Sequence, residues 1–142
     1  MARSTRLEPA TLKAALRERG LKATASRIAC LRFLAARATP VTHRELSEAL
    51  ARSGHDRATF FRNLNDFVLV GLARRTILGG QWRFERIERD EPNHAHFVCA
   101  SCGDVTCVRD VHVTFRAARL PHALKAERYE IQLRGTCDRC TP

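Results

Sequence analysis

Asp56-Arg-Ala-Thr-Phe-Phe-Arg-Asn-Leu-Asn-Asp-Phe-Val-Leu-Val-Gly71, followed at once by Leu72-Ala-Arg-Arg-Thr-Ile-Leu-Gly-Gly-Gln-Trp-Arg-Phe-Glu85, decides the fold of this chain. In the first stretch Phe60, Leu64, Phe67 and Val68 recur at helical spacing behind Asp56, a capping residue, and Gly71 closes the helix. In the second stretch the period drops to two. Residues 72–77 read as a strand, Gly79-Gly80 as a hairpin turn, and residues 81–85 as the return strand. Upstream, Pro9 to Arg19 reads as a first helix carrying Leu12, Ala15 and Leu16, stopped by Gly20. Thr24 or Ser26 caps a second, with Ile28, Leu31 and Leu34 on one face, and Thr39-Pro40 breaks it. Thr42 and Glu45 have the spacing of a capping box for a third helix, with Leu46, Ala49 and Leu50 as its apolar stripe and Ser53-Gly54 as its end. Short helices followed by a β-hairpin predict a winged helix-turn-helix over residues 1–86, with the fourth helix entering a major groove and the hairpin as the wing.

Residues 87–93, Ile-Glu-Arg-Asp-Glu-Pro-Asn, are polar and contain a proline, so they read as a hinge. Beyond it, residues 94–142 read as a small α/β dimerisation domain, giving an α+β chain overall. His96-Phe97-Val98 and Val105–Val108 are expected strands, Val111–Leu120 a short helix stopped by Pro121, and Arg128–Leu133 a half-buried strand. Two cysteine pairs, Cys99-Ala-Ser-Cys102 and Cys137-Asp-Arg-Cys140, have 34 residues between them. Paired Cys-x-x-Cys hairpins supply the four thiolates of a closed structural Zn(II) shell. The long gap means that the metal staples a small domain rather than folding one finger. Disulfides and a thioredoxin-like redox pair are the competing readings. Neither a secretory signal nor a βαβ pattern around a pair supports them.

Charges interrupt every apolar run, so no membrane span is expected and the chain reads as cytoplasmic. Its net charge of +10 is segregated. Residues 1–89 hold 18 Lys/Arg against 8 Asp/Glu, and residues 90–142 hold 7 of each. All the excess positive charge therefore lies on the predicted winged domain, where it favours a polyanionic partner such as double-stranded DNA.

Three stretches together resemble the ferric uptake regulator superfamily of metal-dependent bacterial repressors, which bind DNA operators as homodimers. They are Gly20-Leu-Lys-Ala-Thr-Ala-Ser-Arg27, Arg57-Ala-Thr-Phe-Phe-Arg-Asn-Leu64, and His94-Ala-His-Phe-Val-Cys-Ala-Ser-Cys-Gly103 with Gly135-Thr-Cys-Asp-Arg-Cys140. The resemblance runs from about residue 10 to 140. It implies that Arg57, Thr59, Phe61, Arg62 and Asn63 lie on the recognition helix, with Lys22 and Arg27 reaching DNA backbone. Phe61 replaces the family's usual tyrosine and lacks a hydroxyl for a phosphate; core packing is its other reading. Exposed charge with no partner is the other reading of Lys22 and Arg27.

The resemblance also implies a regulatory metal site near the hinge. Glu85 occupies the wing position, and His94 and His96 the two histidine positions. Where the family often has an acid after the first cysteine pair, this chain has Cys107. The family's helical-part histidine position falls on Pro40, with His43 close by in sequence. A second family site is poorly supported, because its positions fall on Asn93, Ala95 and Tyr129. His112 and His122 match no position. Glu85, His94, His96 and Cys107 form a set of two nitrogens, one oxygen and one sulfur. That set suits tetrahedral Zn(II) better than six-coordinate Fe(II) or Mn(II). The expected function is a metal-responsive repressor, most readily zinc-sensing. An iron- or peroxide-responsive regulator, and a constitutive DNA-binding protein whose sensing site has decayed, stay open. So does Cys107 as an inert buried thiol. An enzyme is not expected, since a four-cysteine shell leaves no open coordination position.

Overall fold

A computed structural model of the chain describes residues 7–88, 94–125 and 129–142. The chain divides into two compact units, Met1–Glu91 and Pro92–Pro142. Most of the segment read as a hinge, residues 89–93, lies outside the described residues, as does Arg128, the expected start of the last strand.

In the first unit α1 (Pro9–Glu18) and α2 (Ala25–Ala35) are followed by a two-residue strand, β1 (Val41–Thr42), and by α3 (His43–Ala49). The hydroxyl of Thr24 accepts the N–H of Arg27 and so caps α2. Thr42 and Glu45 close a reciprocal capping box on α3, at 3.1 and 2.8 Å. A 3₁₀ turn (Ala51–Ser53) then leads to α4 (Arg57–Leu69), whose first turn is held by the N–H of Thr59 donating to Asp56 at 2.7 Å. That bond holds the Asp56 carboxyl below its usual range. Gly71 ends α4 at φ +76°, a left-handed conformation that a side chain would strain. The hairpin β2 (Ala73–Leu78) and β3 (Gln81–Arg86) follows, in register Ile77 opposite Trp82, and β1 pairs with β3 to complete the sheet order β1-β3-β2. Leu12, Leu16, Leu31, Leu34, Leu46, Phe60, Leu64, Phe67 and Phe84 form one buried core. β1 was not anticipated, because a two-residue strand carries no periodicity to read.

Asn63 was expected to face a groove. It is instead turned inward, with its amide donating to Ser26 Oγ at 3.1 Å and to Cys30 Sγ at 3.8 Å. Its position explains this: Asn63 lies three residues after Phe60 and four before Phe67, on the helix face that packs into the core. Asn63→Ala is therefore expected to destabilise the first unit by about 1–3 kcal/mol, the cost of stranding a buried polar partner. Urea unfolding checks this. The folded variant should bind DNA like the parent.

The second unit holds a sheet of order β5-β4-β6, from β4 (Ala95–Cys99), β5 (Val105–Val108) and β6 (Ile131–Gly135). β5 runs antiparallel to β4 and β6 parallel to it. The helix expected over Val111–Leu120 is absent. This stretch has no regular structure, and a short helix α5 (His122–Lys125) begins only after Pro121. Val111, Val113, Thr114 and Phe115 lose side-chain freedom in a helix, so the apolar spacing had no propensity behind it. Among the described residues, no helix is long and apolar enough to cross a membrane.

Candidate metal centres and nucleic-acid interface

The sheet of the second unit explains why cysteines 38 residues apart meet. Parallel pairing sets Cys99 opposite Gly135, and the Ala100 N–H donates to the Gly135 carbonyl at 2.7 Å. Cys137 is thereby delivered beside Cys99. A Cβ on Gly135 would stand 3.2 Å from the Phe97 ring, so the close approach of β6 favours glycine there. Gly103, at φ +76°, turns the first knuckle and donates its N–H to the Cys99 carbonyl at 2.9 Å. The second knuckle closes when the Cys140 N–H donates to the Cys137 carbonyl at 2.9 Å. An Arg139–Asp104 ion pair links the two knuckles.

The four Sγ atoms of Cys99, Cys102, Cys137 and Cys140 all lie within 4.8 Å of one another, and Cys102 and Cys137 are 3.8 Å apart. A tetrahedron with zinc–sulfur bonds of about 2.3 Å has edges of about 3.8 Å, so this spacing fits zinc. The protonation chemistry fits as well. N–H groups of Cys102 and Cys137 point at Cys99 Sγ, at 3.5 and 3.4 Å, and bring the thiol down to about 5. Hydrogen bonding to the neighbouring thiols, Cys137 first, pushes Cys140 up to about 12, and Cys99 likewise raises Cys102. Such a cluster holds a first thiolate readily and resists the later ones until a cation arrives. All six cysteines of the chain are described, and all are thiols.

A second cluster stands on the same sheet. His94 and His96 are two residues apart, and their rings lie 4.7 Å apart at 70°. His96 pairs directly with Cys107 across β4 and β5. One donor atom from each of His94, His96 and Cys107 lies within 4.8 Å of the others. Both histidines are buried and Cys107 is half-buried. Two imidazoles and a thiol at this spacing make a soft, nitrogen- and sulfur-rich donor set. Glu85 is on β3 of the first unit, largely buried, with Arg74 Nη1 at 3.5 Å; the hairpin register sets the two residues directly opposite each other.

The other histidines do not join these clusters. His43 Nε2 donates to the Arg57 carbonyl at 2.7 Å and its ring meets the edge of Phe61 at 5.3 Å, so it ties α3 to α4. Pro40 is fully buried, and His112 and His122 are exposed. Ala95 is buried, Tyr129 packs edge-on against Phe115, and Asn93 lies outside the described residues. Cys30 is a core thiol whose burial pushes it up to about 11, against the opposing hydrogen bond from Asn63.

Of the residues expected to meet DNA, Arg57, Phe61 and Arg62 are exposed on α4, and Thr59 is half-buried, with Arg62 Nη2 donating to its hydroxyl at 3.3 Å. Phe61, 47% exposed, is not core. Lys22 is exposed. Arg27 departs from the expectation of an outward cation. Its guanidinium pairs with Asp66 at 2.9 Å and donates to the Lys22 carbonyl at 3.2 Å, which fastens α2 to α4. The acid that captures it is 39 residues away in sequence, beyond any local pattern.

Residues 18–134 match the family model of the ferric uptake regulator family. The peroxide-responsive repressor PerR of Staphylococcus aureus is 26% identical over 131 residues, covering 89% of this chain and 87% of its own. The crystal structure of the Vibrio cholerae ferric uptake regulator superposes with a TM-score of 0.64 at 28% identity, covering 88% of this chain and 98% of that one. That of Helicobacter pylori, which has three functional metal-binding sites, superposes with a TM-score of 0.69 at 14% identity over 99% and 97%.

Proposed function

The chain belongs to the ferric uptake regulator family, and from that premise we propose that it is a homodimeric, zinc-responsive transcriptional repressor that binds double-stranded operator DNA. The observation that carries the choice of metal is the cluster of His94, His96 and Cys107, where a thiol takes the place of a harder oxygen donor. In this reading Cys99, Cys102, Cys137 and Cys140 hold a structural Zn(II). Glu85, His94, His96 and Cys107 hold a second Zn(II), the regulatory one. Residues 1–86 are a winged-helix DNA-binding domain, residues 87–93 the hinge, and residues 94–142 the dimerisation domain. Val113, Phe115 and Leu133 of the second unit are each about two-fifths exposed, apolar surface that a partner subunit would cover.

Zinc supplies two positive charges that hold four donors in one arrangement. The rest of the coupling belongs to the chain. In this reading a metal at the hinge would order the linker and fix the angle between the two DNA-binding domains of the dimer. Only one separation of two recognition helices matches two half-sites on a duplex. Metal and DNA then raise each other's affinity by the same factor. On α4, Arg57, Phe61 and Arg62 face the groove, with Thr59 positioning Arg62. Lys22 reaches the backbone, and Arg27 acts indirectly by fixing α2 against α4.

Arg62→Ala tests the DNA interface. It is expected to weaken binding to a duplex selected from a random pool by about 1–3 kcal/mol if Arg62 reads a base, or to weaken all sequences evenly if it holds a phosphate. Gel shifts on both kinds of duplex, with and without added zinc, read this out. Unchanged binding to both removes Arg62 from the interface.

A further inference from the structure

The exposed surface of the first unit does not end at α4. Asn65, one turn after Phe61, donates to the Phe61 carbonyl at 3.0 Å, and Arg75 Nη1 of β2 lies 3.5 Å from Asn65 Oδ1. The Arg75 guanidinium in turn stacks over the indole of Trp82, 4.4 Å from its centroid. Trp82 faces Ile77 across the hairpin, and the two are 51% and 48% exposed. Cross-strand partners share a face, so Arg75, Ile77 and Trp82 lie on the side that buries Ala73 and Phe84 nearer the base. The hairpin thus carries its core-facing side past the end of the core. Its tip presents an indole, an aliphatic side chain and a guanidinium, continuous with α4 through Asn65.

We propose that Trp82, with Ile77 and Arg75, is a second DNA contact, in which the indole packs on deoxyribose of the backbone flanking the groove that α4 enters and Arg75 pairs with a phosphate. This rests on the reading of the chain as a DNA-binding regulator. The chemistry selects the partner. Residues 1–89 carry all of the net +10 charge, which suits a polyanion. A nucleic-acid backbone also offers apolar sugar faces between its charges, matching an indole beside a guanidinium. Six-residue strands rise about 3.3 Å per residue, so the hairpin extends about 20 Å. In the proposed arrangement the tip of that hairpin meets backbone flanking the groove that α4 enters.

Trp82 is the only tryptophan in the chain, so its emission reports on this contact alone. The full-length, zinc-loaded protein is titrated with a duplex that it has selected from a random pool. The expected result is a change in Trp82 emission and reduced iodide access on binding. Trp82→Ala should weaken binding about tenfold and Trp82→Phe much less, with the melting temperature unchanged because the side chain is half exposed. Arg75→Ala should reduce the salt slope of binding by about one per chain. Binding that leaves iodide access unchanged, or a Trp82→Ala variant that binds like the parent, overturns this inference alone. So does an emission change that follows protein concentration without DNA, which would assign the face to a second copy. Failure to select or bind any duplex overturns the inference together with the proposed function.

Discussion

Cys102→Ser is expected to unfold the second unit and to return the protein to monomers. The reason lies in how little else holds that unit together. Its buried apolar side chains, among the described residues, are Ala95, Val98 and Cys99, whereas the first unit buries three phenylalanines and a set of leucines. A unit of this size gains too little from such a core to offset its chain entropy. A structural zinc contributes roughly 10–16 kcal/mol at neutral pH, and most of that is folding energy. The same collapse should follow a strong chelator. It should also follow acidification, since protons compete with zinc for the four thiolates, and hydrogen bonding to neighbouring thiols raises Cys102 and Cys140. Circular dichroism, zinc content and sedimentation read all three. A Cys102→Ser protein that stays dimeric with an unchanged melting temperature shows that the four cysteines are not a staple.

Cys107→Ser is expected to do the opposite: keep the fold and lose the response. Cys107 is half-buried on β5, outside the four-cysteine cluster, and serine nearly matches its shape. What changes is the donor. A serine hydroxyl stays protonated near neutral pH and is a poor zinc ligand. DNA affinity in the presence of zinc should fall to that of the metal-free protein, about 5- to 150-fold for a coupling of ordinary size. Cys107→Asp should restore the response with a preference for iron or manganese, which favour oxygen donors. Metal-dependent gel shifts on the parent and both variants decide this.

Much of the fold could be read from local chemistry. Thr24, Thr42 and Asp56 cap the helices that their positions announce, and Gly71 and Gly79-Gly80 punctuate the change from helix to hairpin. What escaped was set by distant partners. The Asn63 face was available from the spacing of Phe60 and Phe67, yet the resemblance drew it outward. Arg27 is claimed by Asp66, an acid on another helix. Residues 111–120 have helical spacing but β-branched and aromatic side chains, and the chain there takes no regular form. In the candidate sites, Cys-x-x-Cys spacing pointed to the four thiols, but only the parallel register of β4 and β6 explains how they converge. The pairing of His96 with Cys107 likewise depends on a strand register that the sequence leaves open.

In the proposed function one metal ion, bound through Cys107, switches DNA binding. Cobalt(II) tests it most directly. The four-cysteine cluster is first filled with zinc, cobalt is titrated into the remaining site, and the absorption spectrum is followed together with affinity for a selected duplex. A thiolate-to-cobalt charge-transfer band is expected to grow in step with DNA binding and to be lost, with that binding, in Cys107→Ser. A band that survives in Cys107→Ser, or DNA binding indifferent to the cobalt, contradicts it.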